Sequence, residues 1–288
     1  TRKSVCDRIP ASVPVAQTLF RVLALAGLLT APCDPITAQC VPVGQPCPPP
    51  GGLRSGFGPL VLAGGGTMRG GGPAVADLGL TPGHKSIVFG TSNGRLYVVR
   101  HDGTVAPGFP VTLPREIVSS PAIGTLTKPD GTKVTAIVVG YGSNFAGQVD
   151  AGGIRAYLPN GTLLWEKLSG PYVGATSPVV SAPAIGDLDN DGRNEVVWTS
   201  FDEHVHVSDG GTGAEKAGWP YRTYDTIWSS PALHDVDGDG RLEVVVGSDQ
   251  HLEPAPISTP NGGGLYVLRA DGQPLAGFPK FLDQVVSG

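Results

Sequence analysis

The chain is poor in charge, with Asp, Glu, Lys and Arg making up only 16% of its 288 residues, and it contains a single methionine. Its formal charge is −5, and no basic patch or interleaving of basic and aromatic residues occurs, so nucleic acid is not an expected partner. No apolar run keeps a 3.6-residue period long enough for a substantial helical layer. Nucleophile-elbow and phosphate-loop sequences are lacking too, and no catalytic residue is assigned. Cysteine is confined to Cys6, Cys33, Cys40 and Cys47, too few ligands for a zinc site there. What the chain has in abundance is glycine (43) and proline (28), set among many short β-rich runs. With 40% apolar residues this composition reads as a turn-dense all-β chain, not a disordered one.

Residues 1–38 carry Arg2, Lys3, Arg8 and Arg21, then an apolar run at 22–29 and small residues, the pattern of a secretory signal with Ala38 as one candidate cleavage point. A buried segment of a domain that begins further upstream is the alternative. The run is shorter than a membrane span requires. Cleavage near Ala38 would leave Cys40 and Cys47 as an even pair, expected to form a small disulfide outside the cell. A lipid-modified Cys33 fits poorly with Pro32 before it. Residues 39–56 read as a Pro/Gly-rich extended linker.

The sharpest feature is a sentence written twice, SAPAIGDLDNDGRNEVVWT at 181–199 and SSPALHDVDGDGRLEVVVG at 229–247. In each copy a short apolar run enters a loop with acidic residues at every second position and leaves through a Val-rich run: strand, loop, strand. The loops place Asp187, Asp189, Asp191 and Glu195, then Asp235, Asp237, Asp239 and Glu243, as clustered carboxylates. Such clusters repel themselves unless a cation sits among them, and all-oxygen ligands suit calcium. The Arg193 and Arg241 carbonyls can add a ligand at the seventh position, and Gly192 or Gly240 supplies the sharp turn. A helix-loop-helix calcium hand would close with its Glu at position 12 between helices, whereas here Glu falls at position 9 between strands. A solvated turn is the alternative, and repetition in the same context weakens it.

Aligned on Pro-Ala, the copies number four: Pro73-Ala74, Pro121-Ala122, Pro183-Ala184 and Pro231-Ala232, separated by 48, 62 and 48 residues. Each unit adds further apolar runs, a hairpin signal (Asp102-Gly103, Asn160-Gly161, Asp209-Gly210, Asp271-Gly272) and, in three of them, Gly-aromatic-Pro ending at Pro110, Pro220 or Pro279. Four short strands per unit is the blade of a β-propeller. The blades are expected at about 71–118, 119–178, 179–226 and 227–288. Pro110 and Pro220 each precede the next Pro-Ala by 11 residues, and the same step from Pro279 passes Gly288, so the propeller is expected to continue beyond it, with residues 57–63 supplying an outer strand for its last blade.

Residues from about 56 to 288 resemble the FG-GAP or VCBS-type repeats found in integrin α-subunit propellers and in secreted bacterial proteins, the two acidic loops carrying the likeness. The resemblance implies two calcium sites, at Asp187, Asp189, Asp191, Arg193 and Glu195, and at Asp235, Asp237, Asp239, Arg241 and Glu243. It also implies a secreted or cell-surface module for binding or adhesion, with a protein or glycan ligand and no integral membrane segment in the mature region. The alternative is the propeller of an extracellular enzyme, a polysaccharide lyase or a quinoprotein dehydrogenase. The first two units depart from the acidic pattern: Gly79 and Thr81 follow Asp77, and the second reads Thr125, Thr127, Asp130-Gly131, so only turns are expected there. His204 and His206 share a face of one strand, as a zinc pair or an ordinary polar pair. Trp165, Trp198, Trp219 and Trp228 line a sugar-binding surface or, more simply, pack between blades.

Overall fold

The computed structural model describes residues 66–142, 152–172, 175–250 and 262–282. The leader, the linker, the Cys40–Cys47 pair and segment 57–63 lie outside the described residues. The described chain is built of short strands. The first four-stranded antiparallel sheet contains β1 (Ala74–Ala76), β2 (Ser86–Gly90), β3 (Arg95–Val99) and β4 (Val111–Thr112). The second contains β5 (Ala122–Thr127), β6 (Lys133–Tyr141), β7 (Gly153–Tyr157) and β8 (Leu163–Leu168). After a two-stranded hairpin, β9 (Pro171–Tyr172) with β10 (Ala175–Thr176), comes the third sheet, β11 (Ala184–Gly186), β12 (Glu195–Thr199), β13 (His204–Asp209) and β14 (Tyr221–Arg222). The fourth is β15 (Ala232–His234), β16 (Glu243–Gln250), β17 (Gly263–Leu268) and β18 (Lys280–Leu282).

Strand order within each sheet equals chain order, and the first strands touch in succession, β1 with β5, β5 with β11 and β11 with β15. These are four blades of a β-propeller. The β9–β10 hairpin falls within the longer, 62-residue step between Pro-Ala pairs. Among the described residues no helix is long and apolar enough to cross a membrane.

The core lies between blades. Side chains alternate across a strand, so one strand can feed two seams. Val196 and Trp198 of β12 pack with Val138, Ile154 and Trp165 of the second blade, while Val197 between them packs with Val244, Val246 and Tyr266 of the fourth. Likewise Ile137, Val139 and Tyr141 of β6 face the first blade, and Ala136 and Val138 face the third. Both faces of these strands are buried, which explains why they read as continuous apolar runs instead of alternating ones.

Polar ties cross the same seams. Trp165 Nε1 donates to Gly210 O at 2.8 Å and Trp219 Nε1 to Ala270 O at 3.0 Å. The serine before the second and fourth Pro-Ala bridges to the blade before it: Ser120 Oγ accepts from Gly72 N at 2.8 Å, and Ser230 Oγ from Ala182 N at 3.0 Å. Three Asx-Gly hairpin signals form as expected, with Asp102, Asn160 and Asp271 each accepting from the backbone N–H two residues on. The fourth differs. Asp209 caps Gly211 and Thr212, and the left-handed residue is Gly213, not Gly210, because the turn holds extra residues before β13's partner Glu215.

The glycine of Gly-aromatic-Pro docks on the next blade's hairpin. Gly218 has φ +89°, and a Cβ there would collide with the Asp271 carbonyl; Gly108 stands the same way against Asn160. Among the described residues only the Lys280 amine, 4.0 Å away, comes near a Cβ placed at Gly277, whose φ is +90°. Gly277→Ala should therefore cost only the left-handed backbone penalty of about 1–2 kcal/mol. Gly218→Ala should cost more, because blades must also separate. Urea unfolding of the two variants checks this, and equal losses would mean that the close approach contributes nothing.

Candidate metal centre

Each acidic loop joins the first strand of a blade to its second, and its carboxylates first hold its own backbone. In the third blade Asp187 Oδ2 accepts from Gly192 N at 2.9 Å, Asp189 Oδ1 from Asp191 N at 3.3 Å, Asp191 Oδ1 from Arg193 N at 2.8 Å, and Glu195 Oε2 from Leu188 N at 2.9 Å. The fourth blade repeats all four: Asp235 with Gly240, Asp237 with Asp239, Asp239 with Arg241 and Glu243 with Val236. Asn190 and Gly238 occupy the same register, both left-handed with φ of 61° and 80°, a conformation that Asn and Gly adopt most readily. Asn190 Nδ2 also donates to Gly240 O at 2.8 Å, tying one loop to the other.

With the backbone so held, carboxylate oxygens converge. One oxygen each from Asp187, Asp189 and Glu195 lie within 4.8 Å of one another, as do oxygens from Asp235, Asp237 and Asp239. Asp191 and Glu243 stand outside these convergent sets. The Arg193 guanidinium turns away, donating to Thr127 O at 3.2 Å and facing Asp209, and Asn194 bonds Thr125 O, so this loop also ties the second blade to the third. An all-oxygen donor set of this kind fits a hard divalent cation such as calcium. In the first blade Asp77 accepts from Gly79 N, and in the second Asp130 accepts from Thr132 N within the β5–β6 hairpin, each closing a simple turn.

One ligand-like group had no signal in the sequence. Lys216 Nζ donates to Asp189 Oδ2 at 2.8 Å and Glu195 Oε1 at 3.1 Å. Burial works to raise the Asp189 carboxyl, but the Lys216 ammonium outweighs it and holds it below the ordinary carboxylate range. Glu195, almost wholly buried, is pushed up by that burial despite the Leu188 N–H and Lys216. Burial lowers the Lys216 amine, and the two carboxylates more than reverse that.

Residues 187–246 match the FG-GAP-like repeat family. This segment is an FG-GAP-like repeat. It spans the two acidic loops and the four strands between them, β12 to β15. No curated protein sequence matches the chain. Among solved structures, the C-terminal domain of PilY1 from Pseudomonas aeruginosa is similar at 15% identity and a TM-score of 0.51, over 70% of this chain and 50% of that one. The chain thus spans about half the length of that relative, and the likeness speaks to the fold alone. BamB from Moraxella catarrhalis (15% identity, TM-score 0.43, 70% and 47% of the two chains) and quinohemoprotein alcohol dehydrogenase from Comamonas testosteroni (14%, 0.43, 65% and 32%) are more distant and carry no functional argument.

Outside the FG-GAP-like loops, three tryptophans pack between blades: Trp165, Trp198 and Trp219 are buried. Trp228 is not. It is 40% exposed, its ring 4.6 Å from that of Phe201, and the equally exposed Tyr224 lies nearby in sequence under the Arg222 guanidinium. The two histidines do not form a metal pair. His206 is buried, stacked on Trp198 at 3.9 Å, with Nε2 3.0 Å from Asp202 Oδ2 and Nδ1 3.2 Å from Glu215 Oε2. His204 places its Nδ1 on the Asp202 carbonyl instead.

Burial opposes the charged forms of His206 and Asp202, but each is the other's partner, so the imidazole is raised above its ordinary value of 6.5 and Asp202 is lowered below 3.8. The raised His206 contributes stability that is complete below pH 6.5 and disappears as pH rises through its folded value. Asp202 contributes above pH 3.8, and that part is lost as pH falls through its own folded value. Between those limits the pair, with Glu215, Lys167 and His204 around it, stabilises most. His206→Leu should cost about 3–5 kcal/mol near pH 5.5 by stranding the Asp202 charge. The cost should shrink as pH rises through the folded value of His206. Urea midpoints from pH 5 to 9 check it, and a pH-independent cost would show that His206 is folded as the neutral base.

Proposed function

We propose that this chain is a calcium-binding β-propeller of a secreted or cell-surface protein, acting as a binding or adhesion module for a protein or glycan ligand. The observation that carries the reading is the convergence of carboxylate oxygens in two repeated loops whose backbones are already pinned by the same carboxylates. The candidate calcium ligands are Asp235, Asp237, Asp239 and Glu243 with the Arg241 carbonyl, and the matching Asp187, Asp189, Asp191 and Glu195 with the Arg193 carbonyl. When bound, the ion supplies charge neutralisation and a rigid loop, a structural role.

A secreted or cell-surface compartment fits the calcium reading. Extracellular calcium modules have dissociation constants of about 0.1–1 mM, a range that suits the millimolar free calcium found outside the cell. Rigid loops on a blade scaffold present the exposed Tyr224 and Trp228, with the half-buried Phe201 against Trp228, as a surface for a ligand.

At about 1 mM calcium and a dissociation constant of about 0.1 mM, linkage gives RT ln(1 + 10), about 1.4 kcal/mol for a filled site. For a domain of this size that raises the melting temperature by about 3–6 °C. Melts in calcium and in excess chelator should differ by at least this much, and Asp237→Ala should reduce the difference. Glycan and protein arrays probed with the same preparations should lose their signals in chelator. A calcium shift that survives unchanged in the Asp189→Ala/Asp237→Ala double variant would place the ion elsewhere and leave the loops as turns.

A further inference from the structure

The two acidic loops are alike in sequence and unlike in company. Lys216 holds a fixed place in its blade: its N–H donates to Val207 O on β13, and its carbonyl accepts from Trp219 N. The same two bonds mark Leu275 in the fourth blade, to Val267 O and from Phe278 N, and Ala106 in the first, to Val98 O and from Phe109 N. From that place the Lys216 side chain reaches Asp189 and Glu195. Leu275 is buried and brings no charge to Asp235, Asp237, Asp239 or Glu243.

We propose that Lys216 is the built-in cation of the 187–195 loop, making it a poor calcium site and leaving the 235–243 loop as the one that takes the ion. This rests on the calcium reading above. Calcium needs six to eight oxygens, and Lys216 already occupies one oxygen of Asp189 and one of the buried Glu195. An incoming divalent ion must displace the ammonium or tolerate its repulsion at close range. Because the ammonium is tethered to the same blade, its effective concentration at the loop is high and independent of the calcium supply. Glu195, 1% exposed, is thereby paired at all times, whereas the fourth-blade carboxylates depend on an ion from solution.

Calorimetric titration of the full chain with calcium chloride tests this, with circular dichroism confirming that each variant is folded. The wild type should show one site, abolished by Asp237→Ala and unaffected by Asp189→Ala. Lys216→Leu, which copies the fourth blade, should add a second site that Asp189→Ala removes, and Lys216→Gln should do the same. The reciprocal Leu275→Lys should weaken the existing site by at least about tenfold. Two wild-type sites of equal affinity, unchanged by either Lys216 substitution, would overturn the role of Lys216 and leave the calcium reading standing. No calcium uptake by the wild type or by either Lys216 variant would overturn the calcium reading and this proposal together.

Discussion

A sheet with two apolar faces is stable only between two neighbours, and the middle strands of these blades are apolar on both. Val197 is buried toward the fourth blade and Val196 and Trp198 toward the second, so the third blade has no face of its own to give to water. Every other feature follows from this. The backbone must approach closely at the seams, which is why glycine stands at 108 and 218. Polar groups buried there are paired across the seam, as the Trp165 and Trp219 indole N–H groups donate to the adjoining blade. Chemistry is left to the loops at the strand ends.

The acidic loops are an electrostatic problem set by that packing. Each places a glutamate, Glu195 or Glu243, at the first position of a buried strand, where 1% of it is exposed. A buried carboxylate is tolerated when hydrogen-bonded and paired. One backbone N–H serves each glutamate, from Leu188 or Val236. The remaining compensation differs: the third blade draws an ammonium from its own chain, and on the proposed calcium reading the fourth takes an ion from solution. Two copies of one motif thus reach different solutions through a single position, lysine at 216 and leucine at 275.

The blades were legible in the sequence because their period is written in residues that backbone geometry demands: Pro-Ala before the first strand, Asx-Gly at the hairpin, Gly-aromatic-Pro before the last. The carboxylate loops were legible for the same reason, since alternation brings Asp187 and Asp189, and Asp235 and Asp237, to one side. Contacts made across seams or across strands left no such trace. Lys216 lies 21 residues beyond Glu195 and meets it only because β13 folds back on β12. Glu215 reaches His206 through a turn whose length the Asp209-Gly210 signal misstates. The β9–β10 hairpin is too short to show an apolar pattern at all. Trp228 stands where the second and third blades' lead-ins have valine, Val118 and Val180, and that substitution of an aromatic at an otherwise aliphatic place was the one available hint that it is exposed.

On the proposed calcium reading the acidic loops brace the blades once cations neutralise their charge, one from within and one from solution. Hydrogen exchange read by mass spectrometry in calcium and in chelator tests it most directly. Amides in 187–199 should be protected in both conditions, and those in 235–250 should gain protection only with calcium. Equal, fast exchange in both loops, unmoved by calcium, would contradict the account.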